Sequence, residues 1–106
     1  DCYYYLRAQG ESMNKVFGTG TLLLCLDIHK SGVDIAPNDI AVVERRRTQD
    51  GLIETTAKRV KQVGRTLQLW PESTDPSFRS PILLDGDPNF ETVTTTAKVV
   101  GWFQTI

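Results

Sequence analysis

Ser12 is the residue of this sequence whose surroundings best suit a nucleophile. It follows Gly10 and Glu11 at the end of an aromatic and apolar segment, where a short stretch of helical character begins. A serine at such a turn exposes its hydroxyl, and nearby backbone N–H groups can point towards an oxyanion beside it. The same placement also suits a serine that only caps a helical turn. The residue type therefore permits acyl transfer without requiring it.

A serine needs a base to react at neutral pH, and the sequence offers two candidates. His29 is the only histidine and lies in a polar turn, where a solvated imidazole is common. Lys58 lies in a strand-like segment whose alternation places it on one face with Thr56 and Val60. A lysine on a partly apolar face loses hydration, so its pKa falls from about 10.4 towards neutrality and the amine can accept a proton. An ordinary surface lysine on a strand fits the same pattern.

The other reactive side chains do not form a recognisable site. Cys2 and Cys25 are the only cysteines, and we expect both to be reduced thiols. One histidine and two distant cysteines lack the spacing of metal ligands, so we expect no metal and no cofactor. The basic run at residues 44–47, Glu-Arg-Arg-Arg, suits a solvated strand end better than a phosphate-binding patch.

The elements that must position these side chains are strands. Apolar, aromatic and β-branched runs alternate with turn signals such as the Asp50-Gly51 pair. We predict strands at residues 3–8, 21–28, 39–46, 52–63, 66–70, 82–84 and 93–105. The second is the most continuous apolar run and is predicted to be a central strand buried on both faces. Residues 12–17 form the only predicted helical turn, so the predicted fold class is all-β.

Length and composition indicate one domain spanning residues 1–106. The chain of 106 residues is 40% hydrophobic and 24% charged, which is enough for a core and unlike disordered sequences. A net charge of −1 provides no overall field that would draw the protein to nucleic acid or to an anionic membrane. The longest apolar run, residues 22–26, is far shorter than the roughly 20 residues of a membrane-spanning helix.

Six segments resemble, in the same order, segments of the LexA and phage-repressor family of self-cleaving proteins (S24 serine peptidases). They are residues 5–13 (YLRAQGESM), 18–23 (GTGTLL), 37–43 (PNDIAVV), 57–60 (AKRV), 69–73 (LWPES) and 99–103 (VVGWF). The first resembles the nucleophile segment of the family, and the fourth resembles its lysine segment. Ser73 stands where the family usually has asparagine. Each match is weak by itself, but together they cover nearly the whole chain, with Ser12 and Lys58 46 positions apart.

The resemblance implies a fold and a mechanism. The fold is the folded β-ribbon of LexA C-terminal domains and signal peptidases, with one short helical turn after the first strand. Lys58 acts as the general base for Ser12, and the turn that includes Glu11 and Met13 holds the oxyanion. In this family the substrate is the protein's own hinge, cut at an Ala-Gly or Cys-Gly bond upstream of the nucleophile strand. The cut separates a helix-turn-helix DNA-binding domain from the dimerisation domain.

The resemblance also implies partners. An activated recombinase filament promotes the cut during DNA damage in the bacterial cytoplasm, and DNA binds only through the N-terminal domain. The chain begins at the nucleophile strand and contains no Ala-Gly or Cys-Gly pair, so we expect hinge and DNA-binding domain to lie outside it. A homodimer and no membrane partner are expected. If the last strand is an edge strand, the interface residues are Val99, Val100, Trp102 and Phe103; otherwise they complete the monomer core.

Three other functions are compatible with parts of this pattern. A non-cleaving repressor oligomerisation domain with an unused dyad has the same sequence signature. A signal-peptidase-like enzyme that acts on other proteins uses the same Ser–Lys chemistry, but these 106 residues contain no membrane anchor. A small β-barrel that binds nucleic acid is disfavoured because the aromatic residues lie apart from the arginines of residues 45–47.

Overall fold

The computed structural model describes residues 1–85 and 88–104. Within these ranges the elements are β1 (Tyr3–Arg7), β2 (Leu22–Asp27), α1 (Ile28–Ser31), β3 (Ile40–Arg47), β4 (Ile53–Val63), β5 (Thr66–Trp70), β6 (Ile82–Leu83) and β7 (Phe90–Phe103). The all-β prediction is confirmed, and each predicted strand is present with its described ends within three residues of the prediction. Thr105, the predicted end of the last strand, lies outside the described residues.

The strands form one antiparallel sheet in the order β1-β2-β7-β3-β4-β5-β6. Because side chains alternate along each strand, the sheet packs a different cluster on each face. One cluster joins β1, β2, β3 and β7 with the turn after β1, and its buried members are Met13, Phe17, Leu23, Cys25, Ile40, Val42, Ala97 and Val99. The other lies beneath β5 and β6, and its buried members are Ala41, Val43, Val60, Leu69 and Ile82. β3 contributes to both clusters, so it is the buried centre of the fold.

The prediction that the second strand is central and buried on both faces is wrong. β2 lies next to the edge strand β1, and only alternate residues, Leu23 and Cys25, are buried. Leu24 lies on the opposite face and is only partly covered. A continuous apolar run therefore does not require two covered faces when a strand lies near the edge of its sheet.

The structure divides the residues of the last strand between the two alternatives. β7 pairs with β2 on one side and with β3 on the other. Val99 is buried in the monomer core, whereas the side chains of Val100, Trp102 and Phe103 are 45%, 43% and 48% exposed. The pairing with β3 ends at Val99, so residues 100–103 extend beyond β3 and, among the described residues, pair only on the side of β2.

The assigned helix, α1, follows β2. Asp27 caps it by accepting hydrogen bonds from the amides of His29 and Lys30, and Gly32 ends it at a positive φ of 75°. The predicted helical turn at residues 12–17 is a series of hydrogen-bonded turns, in which the amide of Phe17 donates to Met13 O at 3.0 Å. Among the described residues, no helix has the length and apolar character needed to cross a membrane.

Candidate active site

The turn after β1 presents Ser12 at the surface of the core. Gly10 has a φ of 82°, which favours glycine and lets the chain turn sharply away from β1. Met13 and Phe17 then bury their side chains in the core, with 3% and 6% of their surface exposed. Ser12 precedes this buried anchor and remains partly exposed. The local sequence thus fixes the turn by two apolar side chains and leaves the serine hydroxyl accessible.

The segment after β5 holds the same turn from the other side. The amide of Glu72 donates to Ser12 O at 3.0 Å, and the amide of Lys15 donates to Glu72 O at 3.0 Å. The hydroxyl of Ser73 donates to Glu11 O at 2.5 Å, and the Thr74 amide donates to the side chain of Asn14 at 2.8 Å. We call residues 71–75 the strap segment. The strap segment thus holds the turn of Ser12 by hydrogen bonds, although this turn pairs with no strand among the described residues.

Lys58 reaches Ser12 from β4. Its side chain lies on the same face of β4 as Val60 of the second cluster and is only 7% exposed. In its ammonium form the Nζ donates to Ser12 Oγ at 3.0 Å, to Thr56 Oγ1 at 2.5 Å and to Ala57 O at 3.3 Å. A neutral amine has two hydrogens and one lone pair. With the hydrogens directed at Thr56 and Ala57, the lone pair is directed at the Ser12 hydroxyl.

The surroundings of Lys58 make its ammonium group easier to deprotonate. Burial lowers the pKa of Lys58 to about 8, the positive charge of Arg45 adds to the decrease, and Glu54 opposes it. Arg45 and Glu54 face each other across β3 and β4 and form an ion pair at 2.7 Å. The guanidinium of Arg45 also lies 4.0 Å from the ring centroid of Phe90, which fixes its position. Its Nε is buried and has no hydrogen-bond partner among the described residues.

Two cavities flank Ser12. One, of about 200 Å³, opens between β1 and β4 and is lined largely by apolar side chains, including Leu6, Val42 and Ala57. The other, of about 400 Å³, is lined by Lys58 together with the charged residues Arg45, Glu54 and Arg79 and the ring of Phe78. Ser12 therefore lies where an apolar cavity meets a polar one.

Both strands beside the apolar cavity have an unpaired edge among the described residues. β1 pairs only with β2. β5 pairs with β4 only between Arg59 and Val63, so residues 53–58 of β4 pair with β3 alone. Such edges bind extended peptides by strand addition, and here they face each other across the cavity next to Ser12.

The other residues named from the nucleophile segment have distinct surroundings. The carboxylate of Glu11 accepts a hydrogen bond from Asn14 at 3.1 Å and, among the described residues, forms no ion pair with Lys58. Met13 contributes its buried side chain to the core. In the part of the chain that the structure describes, the backbone amides of Ser12 and Met13 donate to no acceptor.

The structure does not bring His29 to Ser12. The His29 ring hydrogen-bonds Thr95 O on β7 at 3.1 Å, so it serves to attach α1 to the sheet. Both cysteines are free; burial raises the pKa of Cys25 to about 11, which makes its thiol unreactive. No group of potential metal ligands occurs among the described residues.

The arginine run does not form one basic patch. Arg45 pairs with Glu54 and Arg47 pairs with Asp50 at 2.7 Å, while Arg46 lies on the other face of β3. Alternation along a strand thus divides residues that are adjacent in sequence.

Four side chains at this site received no role from the sequence: Thr56, Arg45, Glu54 and Glu72. The sequence does indicate that Thr56 lies near Lys58, because strand alternation places both side chains on the same face. Arg45 and Glu54 depend on the register between β3 and β4. Glu72 belongs to a segment noticed only for its resemblance, and its contacts with the nucleophile turn join residues far apart in sequence.

Comparison with known proteins supports the same assignment. Residues 1–100 match the family model described as Peptidase S24-like. A search of curated proteins found no match. Because the family model covers nearly all of the chain, from the turn of Ser12 through β4 into β7, this chain belongs to the S24-like peptidase family.

Proposed function

We propose that this domain is the C-terminal self-cleavage and dimerisation domain of a phage-type transcriptional repressor. The observation that carries the proposal is the 3.0 Å contact between Ser12 Oγ and the buried Nζ of Lys58. A serine and a lysine of lowered pKa in contact are the minimum that acyl transfer requires. The family match supports a peptidase of this class.

In the proposed reaction, neutral Lys58 takes the hydroxyl proton of Ser12 while Oγ bonds to the carbonyl carbon of the peptide. The carbonyl electron pair moves to oxygen, which accepts hydrogen bonds from the amides of Ser12 and Met13. When the C–N bond breaks, the Lys58 ammonium returns its proton to the leaving amine. Neutral Lys58 then takes a proton from a water molecule that hydrolyses the ester, which restores the Ser12 hydroxyl and releases a carboxylate.

The substrate we propose is an extended segment of the parent chain upstream of β1. The two unpaired strand edges on either side of the apolar cavity support an extended peptide. The cavity volume of about 200 Å³ and its lining by Leu6, Val42 and Ala57 support a small apolar side chain next to the cut bond. Cleavage there would separate a DNA-binding domain from this domain and relieve repression, promoted by an activated recombinase filament after DNA damage in a bacterial cytoplasm.

We further propose that the domain forms a homodimer. Residues 100–103 extend beyond β3 with an unpaired backbone edge, and Tyr5 and Phe103 are exposed and in contact, with ring centroids 6.2 Å apart. A two-fold axis would pair such an edge with its own copy and cover the aromatic side chains. Val99 belongs to the monomer core and is not part of this interface.

Incubation of the full-length parent protein at mildly alkaline pH tests the proposal. Two fragments are expected from the wild type and none from Ser12→Ala or Lys58→Ala. Ser77→Ala and Lys61→Ala are the matched controls. Ser77 lines the polar cavity beside Ser12, Lys61 lies on β4 with Lys58, and neither residue takes part in the Ser12–Lys58 contact. A wild-type protein that stays intact and dimeric would assign the domain to repressor oligomerisation alone.

A further inference from the structure

The position of the nucleophile depends on a turn that belongs to no strand. Residues 11–16 pair with no strand of the sheet, and Lys58 reaches Ser12 from β4. The Ser12–Lys58 contact is therefore only as stable as the connection between this turn and β4. Buried Met13 and Phe17 anchor one end of the turn, and the strap segment holds the backbone at Ser12 itself.

Glu72 connects the strap segment to the lysine strand. Its backbone bonds the nucleophile turn on both sides, through its amide to Ser12 O and through its carbonyl to the Lys15 amide, each at 3.0 Å. Its carboxylate accepts a hydrogen bond from Arg59 Nε at 2.8 Å. Arg59 follows Lys58 directly on β4, and its guanidinium also donates to Asn38 O at 2.7 Å. A continuous path thus runs from the Ser12 backbone through Glu72 and Arg59 to the strand of Lys58.

We propose that Glu72 and Arg59 are positioning residues that hold Ser12 Oγ within hydrogen-bonding distance of Lys58 Nζ. This inference rests on the proposed Ser–Lys chemistry. The side chains of Arg59 and Glu72 are 25% and 29% exposed, so solvent partly screens their ion pair. The ion pair would affect the reaction through the position of Ser12 Oγ, because a displacement of about 1 Å at a reacting atom lowers a rate by roughly 100-fold.

A positioning role differs from an electrostatic one in its pH dependence. The charges that shift the pKa of Lys58 most are those of Arg45 on β3 and Glu54 on β4, whereas strand alternation places Arg59 on the opposite face of β4 from Lys58. Loss of the Arg59–Glu72 pair should therefore lower the maximal cleavage rate and leave unchanged the pH at which the rate is half-maximal. A residue that acted through its charge would move that pH.

The test compares the full-length parent with Glu72→Gln, Arg59→Gln and the exchanged double variant Arg59→Glu/Glu72→Arg. We expect each single variant to lower the maximal self-cleavage rate by about 10- to 100-fold at an unchanged pH midpoint. The exchanged variant should recover at least part of the loss, which a general loss of stability would not do. Asp50→Asn, in the exposed Arg47–Asp50 pair at the hairpin tip, is the control and should keep the wild-type rate.

Amide hydrogen exchange gives a second readout that does not need proteolysis. The Glu72 and Lys15 amides, which join the strap segment to the turn, should exchange faster in Arg59→Gln than in the wild type or in Asp50→Asn. Unchanged exchange and an unchanged cleavage rate in both single variants would overturn the positioning role. A wild-type protein that does not cleave would refute the proposed function, and the exchange rates would still decide whether the pair holds the turn.

Discussion

Thr56 Oγ1 lies 2.5 Å from Lys58 Nζ, on the same strand and the same face of the sheet. Together with Ala57 O it takes both hydrogens of a neutral amine, so the lone pair remains for the Ser12 hydroxyl. The residue two positions before the lysine thus orients the Lys58 amine. This relationship follows from strand alternation, which places every second side chain on one face.

Replacement of Thr56 tests this orientation. Thr56→Val keeps the shape of the side chain but removes the acceptor, so the amine is free to rotate away from Ser12. We expect the self-cleavage rate to fall by about 10-fold or more, while Thr56→Ser, which keeps the hydroxyl, stays close to the wild type. Equal rates for the valine and serine variants, measured by fragment quantification over time, would exclude an orienting role.

The buried amine should lower the stability of the fold. Because the pKa of Lys58 is about 8 in the folded protein against a usual value of 10.5, protonation favours the unfolded chain at neutral pH. We expect Lys58→Met to raise the free energy of unfolding by about 2 kcal/mol at pH 7 in urea titrations.

The pH dependence of this difference has a definite sign. Between pH 8 and pH 10.5 the unfolded chain binds more protons than the folded one, so wild-type stability rises with pH and the advantage of Lys58→Met shrinks. Lys61→Met, at an exposed position of the same strand, should change stability by no more than about 0.5 kcal/mol. A Lys58→Met protein that is less stable than the wild type at pH 7 would contradict the account.

Arg45 and Glu54 should shift the pH dependence of cleavage in opposite directions. Arg45 lowers the pKa of Lys58 and Glu54 raises it. Arg45→Gln should therefore raise the pH at which the rate is half-maximal, and Glu54→Gln should lower it. Arg46→Gln, on the opposite face of β3, is the matched control. Midpoints that move in the same direction in both variants would show that the pair acts through structure rather than through charge.

Filling the apolar cavity should prevent substrate binding without altering the Ser–Lys contact. Ala57 lines the cavity between β1 and β4, and leucine at this position would occupy much of its volume of about 200 Å³. We expect Ala57→Leu to reduce self-cleavage by at least about 10-fold with an unchanged pH midpoint. Wild-type cleavage by Ala57→Leu would mean that the substrate does not use this cavity.

Local patterns predicted the strands well, because alternation and turn residues act over a few positions. Strand order did not follow from them. β2 has the most apolar sequence yet lies next to an edge, and β7 lies inside the sheet although it comes last in the chain. Order is decided by which faces the whole sheet covers, and no single segment encodes that property.

The residues of the candidate site also divide into those that local patterns predict and those that only the complete fold brings together. Resemblance paired Ser12 with Lys58, and the structure places them in contact. Strand alternation alone predicts that Thr56 lies on the same face as Lys58. The positions of Arg45, Glu54 and Glu72 could not be predicted in this way, because their contacts depend on strand register and on a loop that returns to the turn of Ser12.

The most direct test of the account is the rate of self-cleavage of the full-length parent as a function of pH, compared with that of His29→Ala. We predict a rate that rises through a single ionisation with a midpoint near the Lys58 pKa of about 8, identical in the two proteins. A rate that does not depend on pH between about 6 and 10, or a profile lost in His29→Ala, would contradict Lys58 as the base for Ser12.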